Sequence, residues 1–142
     1  MMKLSVSICI LMLGFVLGCK NRTTDYNLIP NVAVNQTLYL SQPQYFPLGV
    51  VNGWIYLNGG SKGIIVFRKS LDQFMAYERH SPYQSDMNCS ILNVDSLNLV
   101  AIEDCGNSEY SLVNGTVLSG PASVQLKMYN TQLSGDVLEI FN

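Results

Sequence analysis

The sequence predicts an all-β fold, a small antiparallel sandwich or barrel. Short apolar and β-branched runs recur at close spacing, and Gly, Asn, Asp and Ser separate them. No segment carries a convincing helical period of apolar residues. One stretch near the end, Val124–Tyr129, alternates apolar and polar positions as a half-buried strand does.

The elements follow in order. Residues 20–36 are polar, with Pro30 and several Asn and Thr, and read as a tether. Thr37–Leu40 is the first strand. Val50-Val51 and Trp54–Leu57 flank Asn52-Gly53, a signal for a two-residue hairpin turn. Asn58-Gly59-Gly60-Ser61 is the next turn. Gly63–Phe67 is a continuous apolar run, the pattern of a strand buried on both faces. Phe74–Tyr77 follows another short turn. Ser90–Val94 and Leu97–Ile102 flank Asp95-Ser96, and Tyr110–Val113 and Thr116–Leu118 flank Asn114-Gly115. In Val124–Tyr129, Val124, Leu126 and Met128 face one way and Gln125, Lys127 and Tyr129 the other. Ser134-Gly135-Asp136 turns the chain into Val137–Phe141.

The N-terminus determines what counts as mature protein. Lys3 precedes the apolar run Leu4–Leu17, which Gly18-Cys19 closes. The run is too short to span a bilayer as a mature helix and has the layout of a secretory signal peptide. A small residue directly before a cysteine at this distance resembles the bacterial lipobox. That resemblance implies removal of residues 1–18 and a lipid on Cys19; the plain alternative is an ordinary cleaved signal. The chain then divides into a signal peptide (1–18), a tether (19–36) and one domain (37–142). Lys20 follows Cys19, where an aspartate would favour inner-membrane retention, and no acidic run follows. The expected address is the outer membrane, facing the periplasm, with the membrane as partner through the lipid and an envelope protein as a further one.

Cleavage before Cys19 leaves 124 of the 142 residues, one domain's worth. A chain of that length can bury about two thirds of its unfolded surface. Loss of Lys3 moves the formal net charge from −2 to −3. A mildly acidic chain without a basic cluster argues against nucleic acid as a partner, because phosphates need concentrated Lys and Arg. Cys9 leaves with the signal peptide, so Cys89 and Cys105 remain beside Cys19. Two such cysteines in an oxidising compartment most often pair.

Three further stretches carry a family resemblance. Gly63-Ile64-Ile65-Val66-Phe67-Arg68 is the first, and Phe74–Tyr83, reading FMAYERHSPY, the second. The third is Glu103–Ala122, reading EDCGNSEYSLVNGTVLSGPA. In order and spacing, from about Thr37 to Asn142, they resemble a Rieske iron–sulfur domain, and within that family the Rieske-like lipoproteins of Gram-negative gut-type bacteria. Rieske domains read Cys-x-His after an A-Y-x-R strand, then Cys-x-x-His-Gly-Ser-x-Phe/Tyr and a Gly-Pro-Ala corner. Matched on Ala76-Tyr77 and on Tyr110, the four ligand positions fall on Ser81, Tyr83, Glu103 and Gly106. Gly120-Pro121-Ala122, Leu126 and Tyr129 match the closing strand.

The resemblance implies a 2Fe–2S cluster held by two cysteines and two histidines. The residues present do not supply that set. His80 is the chain's one histidine, and pooling it with Cys89 and Cys105 gives three ligands. No cofactor is therefore expected, and the site is implied as a shape without its chemistry. In Rieske proteins of cytochrome bc complexes the second loop reads Cys-Pro-Cys-His, and its middle cysteine is disulfide-bonded to the first loop. Cys105 falls on that middle position and Cys89 on the first loop. The resemblance thus implies a Cys89–Cys105 disulfide joining the two loops, worth about 3 kcal/mol for a loop of ~15 residues. It would supply the cross-link that the cluster otherwise provides. Two unpaired buried thiols are the alternative.

Other constellations carry less. His80 beside Ser81, with Asp86 and Asp104 in reach, suggests a triad, but neighbours on a strand point to opposite faces. The expectation is a solvent-exposed loop histidine. A mononuclear metal at His80 with Glu103 or Asp104 needs both loops to meet at one tip. Glu103 and Asp104 as an acid–base pair fail because sequence neighbours diverge. Gly59-Gly60-Ser61-Lys62-Gly63 resembles part of a phosphate loop but lacks its spacing and following helix, and reads as a hairpin. Asp95-Ser96-Leu97 fits a short O-glycosylation pattern. Pro82, Tyr83 and Met87 read as an apolar cover over the disulfide, or as a docking tip. The function expected is a non-catalytic binding or interaction module; electron transfer by a Rieske centre or by the disulfide is the rival, and a structural envelope protein a third reading.

Overall fold

The structure, a computed structural model, describes residues 29–97 and 99–142. The signal peptide, Cys9, Cys19 and the tether up to residue 28 lie outside the described residues.

Among the described residues ten strands form two antiparallel sheets. They are β1 Asn35–Tyr39, β2 Trp54–Leu57, β3 Ile64–Arg68, β4 Phe74–Glu78, β5 Leu92–Val94, β6 Val100–Glu103, β7 Glu109–Ser111, β8 Val117–Ser119, β9 Met128–Ser134 and β10 Val137–Phe141. The larger sheet runs β1-β10-β9-β4-β3-β2 and the smaller β5-β6-β7-β8.

The order follows from burial. The run Ile64–Phe67 is fully buried along its length, as its unbroken apolar pattern requires. Ile64 and Val66 enter one core with Leu38, Leu48, Ala76, Tyr129, Leu138 and Ile140. Ile65 and Phe67 enter a second core with Tyr77, Leu92, Ala101, Tyr110 and Leu112. The smaller sheet covers that second face, and the Tyr77 hydroxyl reaches across to donate to the Leu112 carbonyl (3.0 Å). Each fully buried side chain of this size contributes about 1.5–3 kcal/mol of transfer free energy, so β3 anchors both layers at once.

Several sequence expectations shift. The first strand starts at Asn35 rather than Thr37, inside the stretch read as a tether, and Ile29 and Val34 before it are buried. Asn142 fixes this segment, accepting from the Val34 amide and donating to the Val32 carbonyl. The hairpin expected at Asn52-Gly53 does not form. Pro43–Gly49 instead make a short 3₁₀ helix around Pro47, whose Leu48 plugs the first core. The helix escaped the sequence reading because so short a segment shows no apolar period. Asn52 and Gly53 extend the β2–β3 ladder through bonds to Arg68, which leaves Val50 and Val51 exposed and outside any strand.

The expected alternation in Val124–Tyr129 is also overturned. The strand begins at Met128 and runs to Ser134; Met128 is 50% exposed and Tyr129 only 3%. Ala76 of β4 pairs with Tyr129 and turns that ring into the core. The turn at Ser134–Val137 and strand β10 stand where the sequence put them.

Candidate functional site

At one end of β4 and β6 two loops meet. The first runs from Arg79 to Ile91 and the second from Asp104 to Ser108. A disulfide joins Cys89 to Cys105, with Cα atoms 5.1 Å apart. The expected pairing is therefore present, and it ties together the two loops that the resemblance implied.

Of the four singled-out positions, Ser81 and Tyr83 lie on the first loop, Gly106 on the second and Glu103 at the end of β6, and each is held by its own neighbours. Glu103 ends β6, fully buried. Its carboxylate accepts from the backbone amides of Cys105 (2.5 Å), Gly106 (2.9 Å) and Ser108 (3.3 Å). Ser81 is also fully buried; its hydroxyl accepts from the Tyr83 amide (3.1 Å) and sits 3.4 Å from the Tyr110 hydroxyl. Burial holds the Tyr110 phenol above its ordinary pKa, and the Glu103 charge adds to this, while hydrogen bonds from Ser81 and Ser108 oppose it. Gly106 lies under the Tyr83 ring: a Cβ there would stand 2.6 Å from Tyr83 Cε1 and 2.9 Å from Pro121 Cγ. The tyrosine at one position thus fills the space a side chain at the other would need. Met87 stands half exposed at the tip.

A second buried carboxylate lies behind the first loop. Glu78 Oε2 accepts from the Ser61 amide (2.7 Å) and the Tyr129 hydroxyl (2.7 Å). Its Oε1 accepts from the amides of Lys62 and His80 (both 3.0 Å). The glycine-rich turn before β3 therefore does cradle an anion, but an internal one. Gly60, at φ +60°, allows it, since a Cβ there would come within 2.3 Å of Glu78 Oε2. Burial and the Glu78 carboxylate both raise the Tyr129 pKa. Sequence reasoning missed Glu78 because its partners lie up to 51 positions away.

His80 is not the exposed loop residue expected. It is 5% exposed, and its Nδ1 lies 2.8 Å from Ser61 Oγ while Nε2 lies 2.7 Å from the Ser85 carbonyl. The bridge between His80 and Ile91 draws it inward by continuing β4 toward the smaller sheet. Ser81 points the other way, as alternation requires. Ser61 and His80 have the spacing of a nucleophile–base pair, yet the amides beside the serine, Ser61 N and Lys62 N, are already committed to Glu78. Those two amides are not available to an oxyanion, and the pair reads as a structural contact. Asp86 is exposed, and Asp104 accepts from the Asn93 amide (2.9 Å) away from Glu103, so neither joins His80. Among the described residues no three His, Cys, Asp or Glu side chains gather as a metal site would need.

Comparison with solved structures finds the cyanobacterial plasma membrane Rieske protein PetC3 from Synechocystis PCC 6803. It is 25% identical, with a TM-score of 0.51, over 62% of this chain and 85% of that one. The fold is Rieske-like. No protein-family model matches the chain, and no curated protein matches it. In this Rieske-like fold the two linked loops leave the ends of β4 and β6.

Proposed function

We propose that the chain is a lipid-anchored envelope protein whose Rieske-like domain holds no 2Fe–2S cluster and serves as a non-catalytic binding module. One observation carries the reading: the loop positions corresponding to the cluster ligands are occupied by residues that satisfy one another. A cluster needs two thiolates and two imidazoles converging on an open space. Ser81 and Glu103 offer oxygens already bound to loop amides, Tyr83 fills the space over Gly106, and Gly106 has no side chain. This donor set does not fit the cluster. Glu103 instead gathers the amides of the second loop, and the disulfide joins that loop to the first.

The anchor completes the proposal. Cys19 carries the lipid, residues 1–18 are removed, and the domain faces the periplasm from the outer membrane, meeting an envelope partner there. Labelled palmitate should enter the protein and be lost in Cys19→Ser.

Iron, acid-labile sulfide and the visible spectrum of the full-length protein, produced where cluster assembly is active, test the central claim. A colourless protein without iron is expected. A red-brown protein with about two irons per chain would overturn it and make electron transfer the function. The disulfide supports a second reading, because both cysteines are only half-buried and within reach of a reductant. A reduction potential below about −300 mV marks a structural bond, and one near the dithiol carriers a redox-active bond.

A further inference from the structure

A groove of about 340 Å³ opens between the 3₁₀ helix, the edge strand β2 and the turn that follows it. That volume lies at the small end of the range for ligand pockets. The 3₁₀ helix contributes Gln44 and Tyr45, β2 contributes Tyr56, and Asn58, Lys62 and Arg79 complete the polar lining. Its charge is one-sided, since Lys62 and Arg79 both line it and no acidic side chain does.

Both cations are fixed by uncharged acceptors. Lys62 Nζ donates to the carbonyls of Met87 (3.0 Å) and Ser90 (2.9 Å). Arg79 Nε donates to the Leu92 carbonyl (2.8 Å) and Nη2 to Asn93 Oδ1 (2.7 Å), and its guanidinium lies 4.0 Å over the Tyr56 ring. Asp104 approaches only through Asn93, whose amide it accepts. The Tyr56 hydroxyl accepts from the Val94 amide (2.9 Å), which pins the wall between the sheets. The first loop and β5 therefore hold two positive charges in place beside a half-enclosed space, through uncharged acceptors. The third proton of the Lys62 ammonium and the Nη1 face of Arg79 have no acceptor in the described structure.

We propose that this groove binds a small organic oxyanion, a carboxylate or phosphate on a compact polar body, through Lys62 and Arg79. Charge-assisted bonds to a preset guanidinium and ammonium supply the attraction, and the amides of Gln44 and Asn58 suit polar substituents. The inference rests on the binding-module reading but uses the groove beside β2, not the positions Ser81, Tyr83, Glu103 and Gly106. Iron in the protein would overturn that reading and leave the groove untouched, whereas failure at the groove would overturn this proposal alone.

The test is a titration of the full-length protein in detergent with a hexuronate, a hexose phosphate and the matching neutral hexose, followed by Trp54 fluorescence and by amide chemical shifts. Trp54 packs edge-on against Tyr56, ring centroids 4.7 Å apart, so the groove has a reporter. Saturable binding of one or both anions, absent for the neutral sugar and weakened by salt, is expected, and the preferred anion separates carboxylate from phosphate. Lys62→Gln should weaken it about tenfold and Lys62→Glu abolish it. Arg79→Gln should act likewise; since Arg79 also joins the sheets, the Lys62 variants decide the matter if it fails to fold. No saturable shift with either anion, equal binding of the neutral sugar, or full binding by Lys62→Glu would overturn the proposal.

Discussion

Glu78 and Glu103 are both fully buried carboxylates that collect backbone amides, yet they organise different ranges of the chain. The donors to Glu103 all lie within five residues of it, in its own loop. Those to Glu78 come from the turn before β3, from His80 beyond β4, and from Tyr129 on β9. One carboxylate shapes a loop, and the other fastens three segments together. A buried anion bound by local amides can be exchanged with water when its loop opens, whereas one bound by distant elements is released only when the sheet comes apart. The disulfide sits where that difference matters, on the Glu103 loop, and the Glu78 junction has none.

The sharpest break in the comparison is removal of each carboxylate. Glu78→Ala strands two buried donors, the His80 amide and the Tyr129 hydroxyl, and two half-buried ones, and should cost on the order of 4 kcal/mol in denaturant unfolding. Glu103→Ala should cost about 2 kcal/mol, since the half-buried Cys105 and Gly106 amides can turn to water. Equal losses would erase the distinction.

Reduction of the disulfide, or Cys89→Ser, should cost about 3 kcal/mol. Combined with Glu103→Ala the effects should be non-additive, because both act on one loop, while combination with Glu78→Ala should be closer to additive. Thermal melting of the single and double variants reads this directly.

The glycines beside the two carboxylates sharpen the contrast. Gly60→Ala places a methyl against the Glu78 carboxylate and the Tyr129 hydroxyl at a left-handed backbone position, and should cost about 2–3 kcal/mol. Gly106→Ala pushes on a Tyr83 ring that can swing toward solvent, and should cost about 1 kcal/mol.

The smallest effect is alkaline. Tyr77, Tyr110 and Tyr129 all have raised folded-state pKa values, chiefly from burial. The folded chain thus keeps phenol protons that the unfolded chain releases above about pH 10. The stabilisation is complete below that pH and lost as pH rises further, by up to about 1.4 kcal/mol per pH unit for each proton retained. Tyr129→Phe should remove its share of this slope over a wider pH range than Tyr110→Phe, since Glu78 accepts directly from Tyr129 while Glu103 acts on Tyr110 through its charge alone.

Much of the fold was legible in order. The unbroken Ile64–Phe67 run announced a strand with a core on each face, and Asn114-Gly115 and Ser134-Gly135-Asp136 marked turns that exist. The disulfide between the loops was implied by the family resemblance. Illegible were the 3₁₀ helix at Pro43–Gly49, too short for a period, and the side chosen by Tyr129, which pairing with Ala76 decides. His80 looked exposed because a polar residue beside Ser81-Pro82 reads as loop; only the fold brings Ser61 and Ser85 to its two ring nitrogens.

By itself the sequence determined the features that local chemistry dictates, an all-β chain and the buried central strand; the family resemblance implied where the linked loops lie. The tertiary structure alone decided which polar groups would be buried and what would satisfy them. Glu78 meets Tyr129 across 51 positions, and Lys62 and Arg79 come together at a groove beside β2. Burial and hydrogen-bond partnership depend on which strands become neighbours, and side-chain pattern along one strand carries no record of the strand beside it.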